Sequence, residues 1–253
     1  MGIDIPTALL LASVAAGALS LFDRLLWAPR GAGPKVRMVG GLARSALPIL
    51  IVVLLIRSFV FESFRIPSES MMPGLVDGDF ILVDKFSYGL KLPALDTKFA
   101  AVGTPRRGDV VVFHSPADHS IFLIKRCIGL PGDRIVVHHN HVFVNGQELP
   151  VAADGTYKGD FGFRGSELET EQLGGSKHTI MLAKYRWVVD FAGTVPPNHY
   201  FFMGDNRNDS EDSRFQIIGY VPDQNLVGRA RFIYLNWRFP GWPNLHRVGV
   251  RIR

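Results

Sequence analysis

Apolar positions are distributed in two ways along the chain. Near the N-terminus they run unbroken, and after Phe61 they come in short runs divided by turn residues. Ile5–Phe22 carries no charged residue and is long enough to cross a bilayer as a helix. A second apolar stretch runs from Leu42 to Phe61 and is densest over Leu47–Ile56. Arg44 and Arg57 lie near its ends, where long side chains can snorkel to the headgroups. The competing readings are a buried core helix for the second stretch and a cleavable signal peptide for the first. Met1–Pro6 carries only Asp4, not the basic head that a signal peptide needs.

Beyond Phe61 the spacing predicts strands over Phe80–Lys85, Asp109–His114, Phe122–Ile128, Arg134–His139, His141–Val144, Trp187–Val189, His199–Met203 and Arg229–Asn236. Pro73-Gly74, Pro131-Gly132, Asn145-Gly146 and Pro196-Pro197 punctuate them, and Asn145-Gly146 marks a tight hairpin after His141–Val144. No useful helix-period stretch occurs here, so the region reads as an antiparallel all-β body. Ala152–His178, rich in glycine and acidic residues, reads as a polar excursion or a secondary lobe. The expected organisation is mostly β. A membrane anchor covers 1–61, with spans at about 5–22 and 42–61 around a basic loop, 23–41. A β domain covers 62–253, with a smaller lobe inserted at about 134–197.

At 253 residues, 47% hydrophobic and 20% charged, the chain is too apolar to be disordered. Its net charge of +5 would admit either nucleic acid or an anionic membrane surface. The distribution of charge decides between them. Between the two apolar stretches lie Arg24, Arg30, Lys35, Arg37 and Arg44 against the acid Asp23. Short basic loops stay in the cytoplasm, which places everything after Phe61 on the far side. Nucleic acid then drops out as a partner, since the cytoplasmic loop is short and offers only Trp27 for stacking. The lone cysteine, Cys127, excludes an intrachain disulfide and a cysteine zinc site.

Three stretches carry candidate chemistry. In Ile66-Pro67-Ser68-Glu69-Ser70-Met71-Met72-Pro73 two serines stand at i and i+2 between prolines. Extended, they would point the same way with Cα atoms about 6–7 Å apart; a bare Ser-x-Ser is equally an ordinary polar turn. In Phe122-Leu123-Ile124-Lys125-Arg126-Cys127-Ile128, Lys125 sits inside an apolar run. A desolvated amine loses its proton readily and can serve as a base to a serine. The competing reading is a solvated Lys125–Arg126 face, although alternation exposes only one of two neighbours. The polar loop Gly204–Arg214 lacks the glycine and glutamate positions of an EF-hand. It reads as a hydrogen-bonded scaffold in which Asp212 and Arg214 pair and Ser210 is aimed at a catalytic group. His138, His139 and His141 lack a matched carboxylate set in the sequence, so no metal site is assigned. No GxSxG, HExxH or Walker motif occurs.

In order, the two apolar stretches, PSESMMPGL, GDFILVDKFSYG, RRGDVVVFHSP, IKRCIGLPGD, MGDNRNDSEDSR and LVGRA resemble bacterial type I signal peptidase, over about Phe61 to Asn236. The resemblance implies a membrane-bound serine endopeptidase of the inner membrane, with its catalytic domain outside the cytoplasm. Such enzymes remove signal peptides from exported pre-proteins after Ala-x-Ala-like sites and use no cofactor. The implied partners are pre-proteins and membrane lipids, with the export translocon as a further candidate. Ser70 matches the nucleophile and Lys125 the general base. Ser68 matches the side-chain oxyanion donor beside the Ser70 amide, Ser210 the lysine-orienting serine, and Asp212 and Arg214 the structural pair. Phe64, Ile66, Leu75 and Ile124, with Leu123 nearby, match the substrate pockets. Glu69 and Cys127 depart from the family's small residues, and the disulfide of some members cannot form. A few residues separate Phe61 from Ser70, so the nucleophile is expected near the bilayer, and Phe239 and Trp242 beside Arg238 would either dip into it or pack on the domain. The readings from other classes are a tethered β module with a decayed site, binding export partners, and a self-cleaving serine–lysine repressor, which would carry a DNA-binding head.

Overall fold

The computed structural model describes residues 5–27, 33–56, 60–91, 98–100, 102–159, 162–183 and 188–253. It separates into two compact units, Met1–Glu62 with Gly89–Ala101, and Ser63–Tyr88 with Val102–Arg253.

The first unit holds helices α1, Ile5–Phe22, and α2, Pro34–Leu55, both long and apolar enough to cross a membrane. α1 has the bounds that its apolar run implies. α2 differs from the expected second span at both ends. It takes in Pro34–Gly41, which the sequence reading left in the loop, because Gly33 is extended at the N-cap and Pro34 occupies the first turn. Proline is pre-organised for that position and loses no hydrogen bond there. At the other end α2 stops at Leu55, and Phe61 opens a strand. Arg44 does not stand alone as a snorkelling charge: it donates to Asp23 at 2.9 Å. Gly40 makes room for that carboxylate, since a Cβ there would collide with it. Arg30 and Arg57 lie outside the described residues. The unit also carries a short hairpin of β3, Leu90–Lys91, and β4, Lys98–Ala100.

The second unit is built on a seven-stranded sheet. Its strands are β1 (Phe61–Arg65), β2 (Asp79–Asp84), β5 (Val110–His114), β6 (Phe122–Gly129), β14 (His199–Met203), β15 (Val221–Pro222) and β16 (Leu226–Asn236), in the order β1-β2-β16-β5-β6-β14-β15. β5 shows why the apolar runs here are continuous. Val110 and Val112 enter one core cluster with Ile66, Met71, Leu75, Ile81, Ile124 and Ile233. Val111 and Phe113 enter another with Tyr88, Cys127, Phe202 and Leu226. A strand covered on both faces has no polar parity to show. β16 pairs with β2 and β5, and its register slips against both, which bends the strand and curls the sheet.

Between the paired strands β6 and β14 the chain makes a long excursion. It contains β7 (Arg134–His138), β8 (His141–Val144), β9 (Gln147–Glu148) and β13 (Phe191–Thr194), in the order β13-β7-β8-β9. It also contains the antiparallel trio β10 (Val151–Thr156), β11 (Glu167–Leu173) and β12 (Ser176–Leu182). The polar excursion Ala152–His178 thus forms most of a sheet. The expected strand Trp187–Val189 is not found. Trp187 lies outside the described residues, Val188 and Val189 are unpaired, and the strand begins at Phe191 opposite Val137.

Phe113 is fully buried and stacks on Phe202 with ring centroids 4.7 Å apart. Phe113→Ala is expected to cost about 3–5 kcal/mol in denaturant unfolding of the full chain in detergent. Phe239→Ala, at a side chain 81% exposed, is expected to stay within about 0.5 kcal/mol.

Candidate active site

The Ser68–Ser70 segment is a turn anchored at both ends. Ile66 N–H donates to Asp79 O at 2.8 Å, and Ile66 O accepts from Gly78 N–H at 3.0 Å. Beyond the serines, Met71, Met72 and Leu75 are buried, so the turn cannot lift off the core. The tight backbone brings the serines closer than an extended chain would: Ser68 Oγ and Ser70 Oγ are 3.4 Å apart. The backbone of the turn is also clasped by the polar loop. Asn206 N–H donates to Ser70 O at 3.1 Å and Asn206 Nδ2 to Glu69 O at 3.2 Å.

Lys125 reaches this turn from β6, opposite Val111 of β5. It is buried, and its Nζ lies 2.6 Å from Ser70 Oγ. Burial lowers the amine from its ordinary value to about 8, against the opposing pull of Asp212, Asp205 and Glu211. Arg126 is buried as well, so neither residue forms the solvated face that alternation allowed. Its guanidinium forks onto Asp205 at 2.7 and 2.6 Å and also donates to Gly108 O at 2.7 Å. Cys127 shares the Lys125 side of β6 by strand parity, and burial pushes its thiol well above the usual range, which keeps it inert.

The loop Gly204–Arg214 is an ion-pair scaffold, as its composition implies. Asp212 accepts from Gly204 N–H at 2.9 Å and from Arg214 Nε and Nη2 at 2.8 Å each. Arg214 also donates to Arg207 O at 2.7 Å. Asp205 and Asp212 are each engaged by an arginine and do not converge on a common cation centre. Ser210 does not make the hydrogen bond expected of it. Its Oγ is buried and has no hydrogen-bond partner among the described residues. It packs over Gly204, where a Cβ would strike both the Ser210 side chain and, at 2.5 Å, Ser70 O.

Two further groups escaped the sequence reading. Arg207 is fully buried against Glu171 of β11, with bonds of 2.8 and 2.6 Å. Burial alone would raise the Glu171 carboxyl, but Arg207 and His178 outweigh it and lower it to about 2. His178 Nε2 lies 3.2 Å from Glu171 and 4.0 Å from Asp205, between the two ion pairs. The one available signal was parity, since Glu171 shares a strand side with the buried Leu173. Of the expected pocket residues, Phe64, Ile66, Leu75 and Ile124 fall in one apolar cluster. Leu123 packs against the neighbouring cluster with Val111, Phe113 and Cys127, on the strand side that Lys125 itself shares.

Comparison with known proteins places the chain among relatives of one family. The family model described as signal peptidase, peptidase S26, matches residues 40–237. Signal peptidase I of Pseudomonas aeruginosa is 39% identical over 284 aligned residues, with 99% of each chain covered. That of Pseudomonas fluorescens is 38% identical, again with 99% of each chain covered. Signal peptidase I of Buchnera aphidicola from Acyrthosiphon pisum is 35% identical over 82% of this chain and 78% of its own. Among solved structures, a signal peptidase I from Enterococcus faecalis covers 50% of this chain and 96% of its own, at 25% identity and a TM-score of 0.31. The matched span takes in the serine turn, the lysine strand and the ion-paired loop, and with relatives of this identity and coverage the chain belongs to the signal peptidase I family of S26 peptidases.

Proposed function

We propose that this peptidase cuts signal peptides from exported pre-proteins with a serine–lysine dyad, Ser70 and Lys125. The observation that carries the reading is the buried Lys125 amine 2.6 Å from Ser70 Oγ. A neutral amine there takes the Ser70 proton as Oγ attacks the scissile carbonyl. Ser68 Oγ–H and the Ser70 amide hold the oxyanion. The new ammonium then protonates the leaving amine, the peptide bond breaks, and the signal peptide remains as an ester on Ser70. Water, giving its proton to Lys125, releases it. Ser210 serves the charged form: its buried hydroxyl, with no other partner, is available to the ammonium while Lys125 holds the proton. Asp212 and Arg214 keep that loop in place. No step calls for a cofactor.

The substrate side follows from the apolar cluster. Phe64, Ile66, Leu75 and Ile124 gather in one apolar cluster with Met71 of the serine turn, and would supply shallow pockets for small neutral side chains at positions −1 and −3. α1 and α2 anchor the chain in the inner membrane with the β unit outside the cytoplasm, where pre-proteins leave the translocon. Phe239 and Trp242, 81% and 95% exposed, are left uncovered by the domain and suit contact with lipid.

Ser70→Ala and Lys125→Met are each expected to lower kcat on a pre-protein by on the order of 10⁴ or more. Near-normal turnover of either folded variant would overturn the dyad. Ser68→Ala, which removes one oxyanion donor, is expected to lower kcat about 10²–10³-fold with KM little changed. Because only the neutral amine works, kcat/KM on a peptide substrate is expected to fall about tenfold per unit as pH drops below about 8 and to level off above it. A flat profile between pH 7 and 9 would contradict a lysine base.

A further inference from the structure

The hairpin of β7 and β8 turns through His139 and Asn140, whose φ values of 50° and 68° are both left-handed. This is a two-residue turn of the primed type, normally filled by asparagine and glycine. A histidine in its first position throws its ring back over the strand end. His138 is paired with His141 on one side. On the other, the register that sets Phe191 opposite Val137 brings Asp190 alongside it. The carboxylate missing from the sequence around the histidines is therefore supplied from the start of β13.

The contacts are directional. Asp190 Oδ2 lies 2.8 Å from His138 Nδ1, and Asp190 Oδ1 accepts from the His139 backbone N–H at 2.9 Å. An ionised carboxylate only accepts, so His138 Nδ1 carries the proton and Nε2 presents its lone pair. That lone pair meets His139 Nδ1 at 2.9 Å, the rings standing edge to face at 86°. Two imidazole nitrogens meeting at 2.9 Å, one of their rings backed by a carboxylate, form a histidine pair whose ring orientation is fixed before a metal arrives. Bonds of about 2.0–2.1 Å at a right angle place adjacent donors about 2.9 Å apart, the edge of a tetragonal site. One nitrogen from each ring and one Asp190 oxygen lie within 4.8 Å of one another, and all three residues are exposed, so a cation has free access.

We propose that His138 Nε2 and His139 Nδ1, oriented by Asp190, bind a divalent d-block cation, with copper(II) held more tightly than nickel(II) or zinc(II). The cation takes the place of the proton that His139 Nδ1 shares with His138 Nε2; that proton moves to His139 Nε2, so both rings stay neutral, and water fills the remaining positions. The site adjoins the catalytic loop. Asn140 Nδ2 reaches Asn208 Oδ1 at 3.4 Å and Asn208 Nδ2 reaches Asn140 Oδ1 at 3.5 Å, so the turn that holds His139 also touches the segment bearing Ser210.

The test is copper(II) titration of the full chain in detergent at neutral pH, followed by isothermal calorimetry and electron paramagnetic resonance. The wild type is expected to bind stoichiometrically, with nitrogen couplings from two imidazoles. The double variant His138→Ala, His139→Ala is expected to lose that binding, and Asp190→Asn to weaken it about 10–100-fold. His141→Ala, whose ring is turned to Glu148 at 2.7 Å, is expected to bind as the wild type does. Equal affinity in the wild type and the double variant, or a spectrum lacking imidazole nitrogen, would overturn the assignment. All these side chains are exposed, and retained signal-peptide cleavage by each variant verifies its fold.

Discussion

The removal of one lysine amine from water is the constraint on which the rest of the structure depends. The proposed role of Lys125 as a base requires that its charged form be disfavoured, and a surface strand could not achieve that. β6 must therefore be covered on both faces, which is what the two clusters around β5 and β6 accomplish. Lowering the amine from 10.5 to about 8 corresponds to roughly 3 kcal/mol against folding at neutral pH. The sign follows from linkage: the unfolded chain binds the proton more readily, so this cost is full below about pH 8 and fades as pH rises through the unfolded value. The surrounding core has to make good that deficit.

Arg126 and the polar loop answer a second demand, that of geometry. The residue beside Lys125 cannot be apolar on its own account if it is to tie the strand to the loop. Three buried arginine–carboxylate pairs, Arg126–Asp205, Arg207–Glu171 and Arg214–Asp212, do the tying. Buried pairs of this kind add little net stability, because desolvation offsets the attraction, while loss of one partner leaves a charge stranded. Their contribution is positional. They hold Asn206 against the carbonyls of Glu69 and Ser70, and so set the turn that Ser70 occupies.

Much of this was legible in the sequence, for reasons that particular residues make clear. Strands such as His141–Val144 and His199–Met203 stand out because turn chemistry brackets them. Ser70 and Lys125 stand out through the motifs around them more than through periodicity, which left both open to bland readings. The failures are equally physical. Proline at Gly33-Pro34 looks like a loop but begins a helix, since the same fixed φ serves both. Val188 and Val189 have strand composition but no strand pairing among the described residues, and composition says nothing about pairing. The Arg207–Glu171 pair joins segments far apart in the chain, and no local pattern announces such a pair.

The excursion between β6 and β14 has a consequence for how such a chain can vary. Because those strands are hydrogen-bonded neighbours, everything between them is, topologically, one closed loop. Closing a longer loop costs only slightly more entropy, so its length is nearly free. Among its ties to the loop after β14 are the grip of Glu171 on Arg207 and the pairing of Met181 with Asn206. Segments lying outside those ties, such as the exposed strand β10, can grow or shrink with little effect on the Ser70 turn. A change in the spacing between Glu171 and Met181 would instead pull on the loop that carries Ser210, even though it lies far from Ser210 in the sequence.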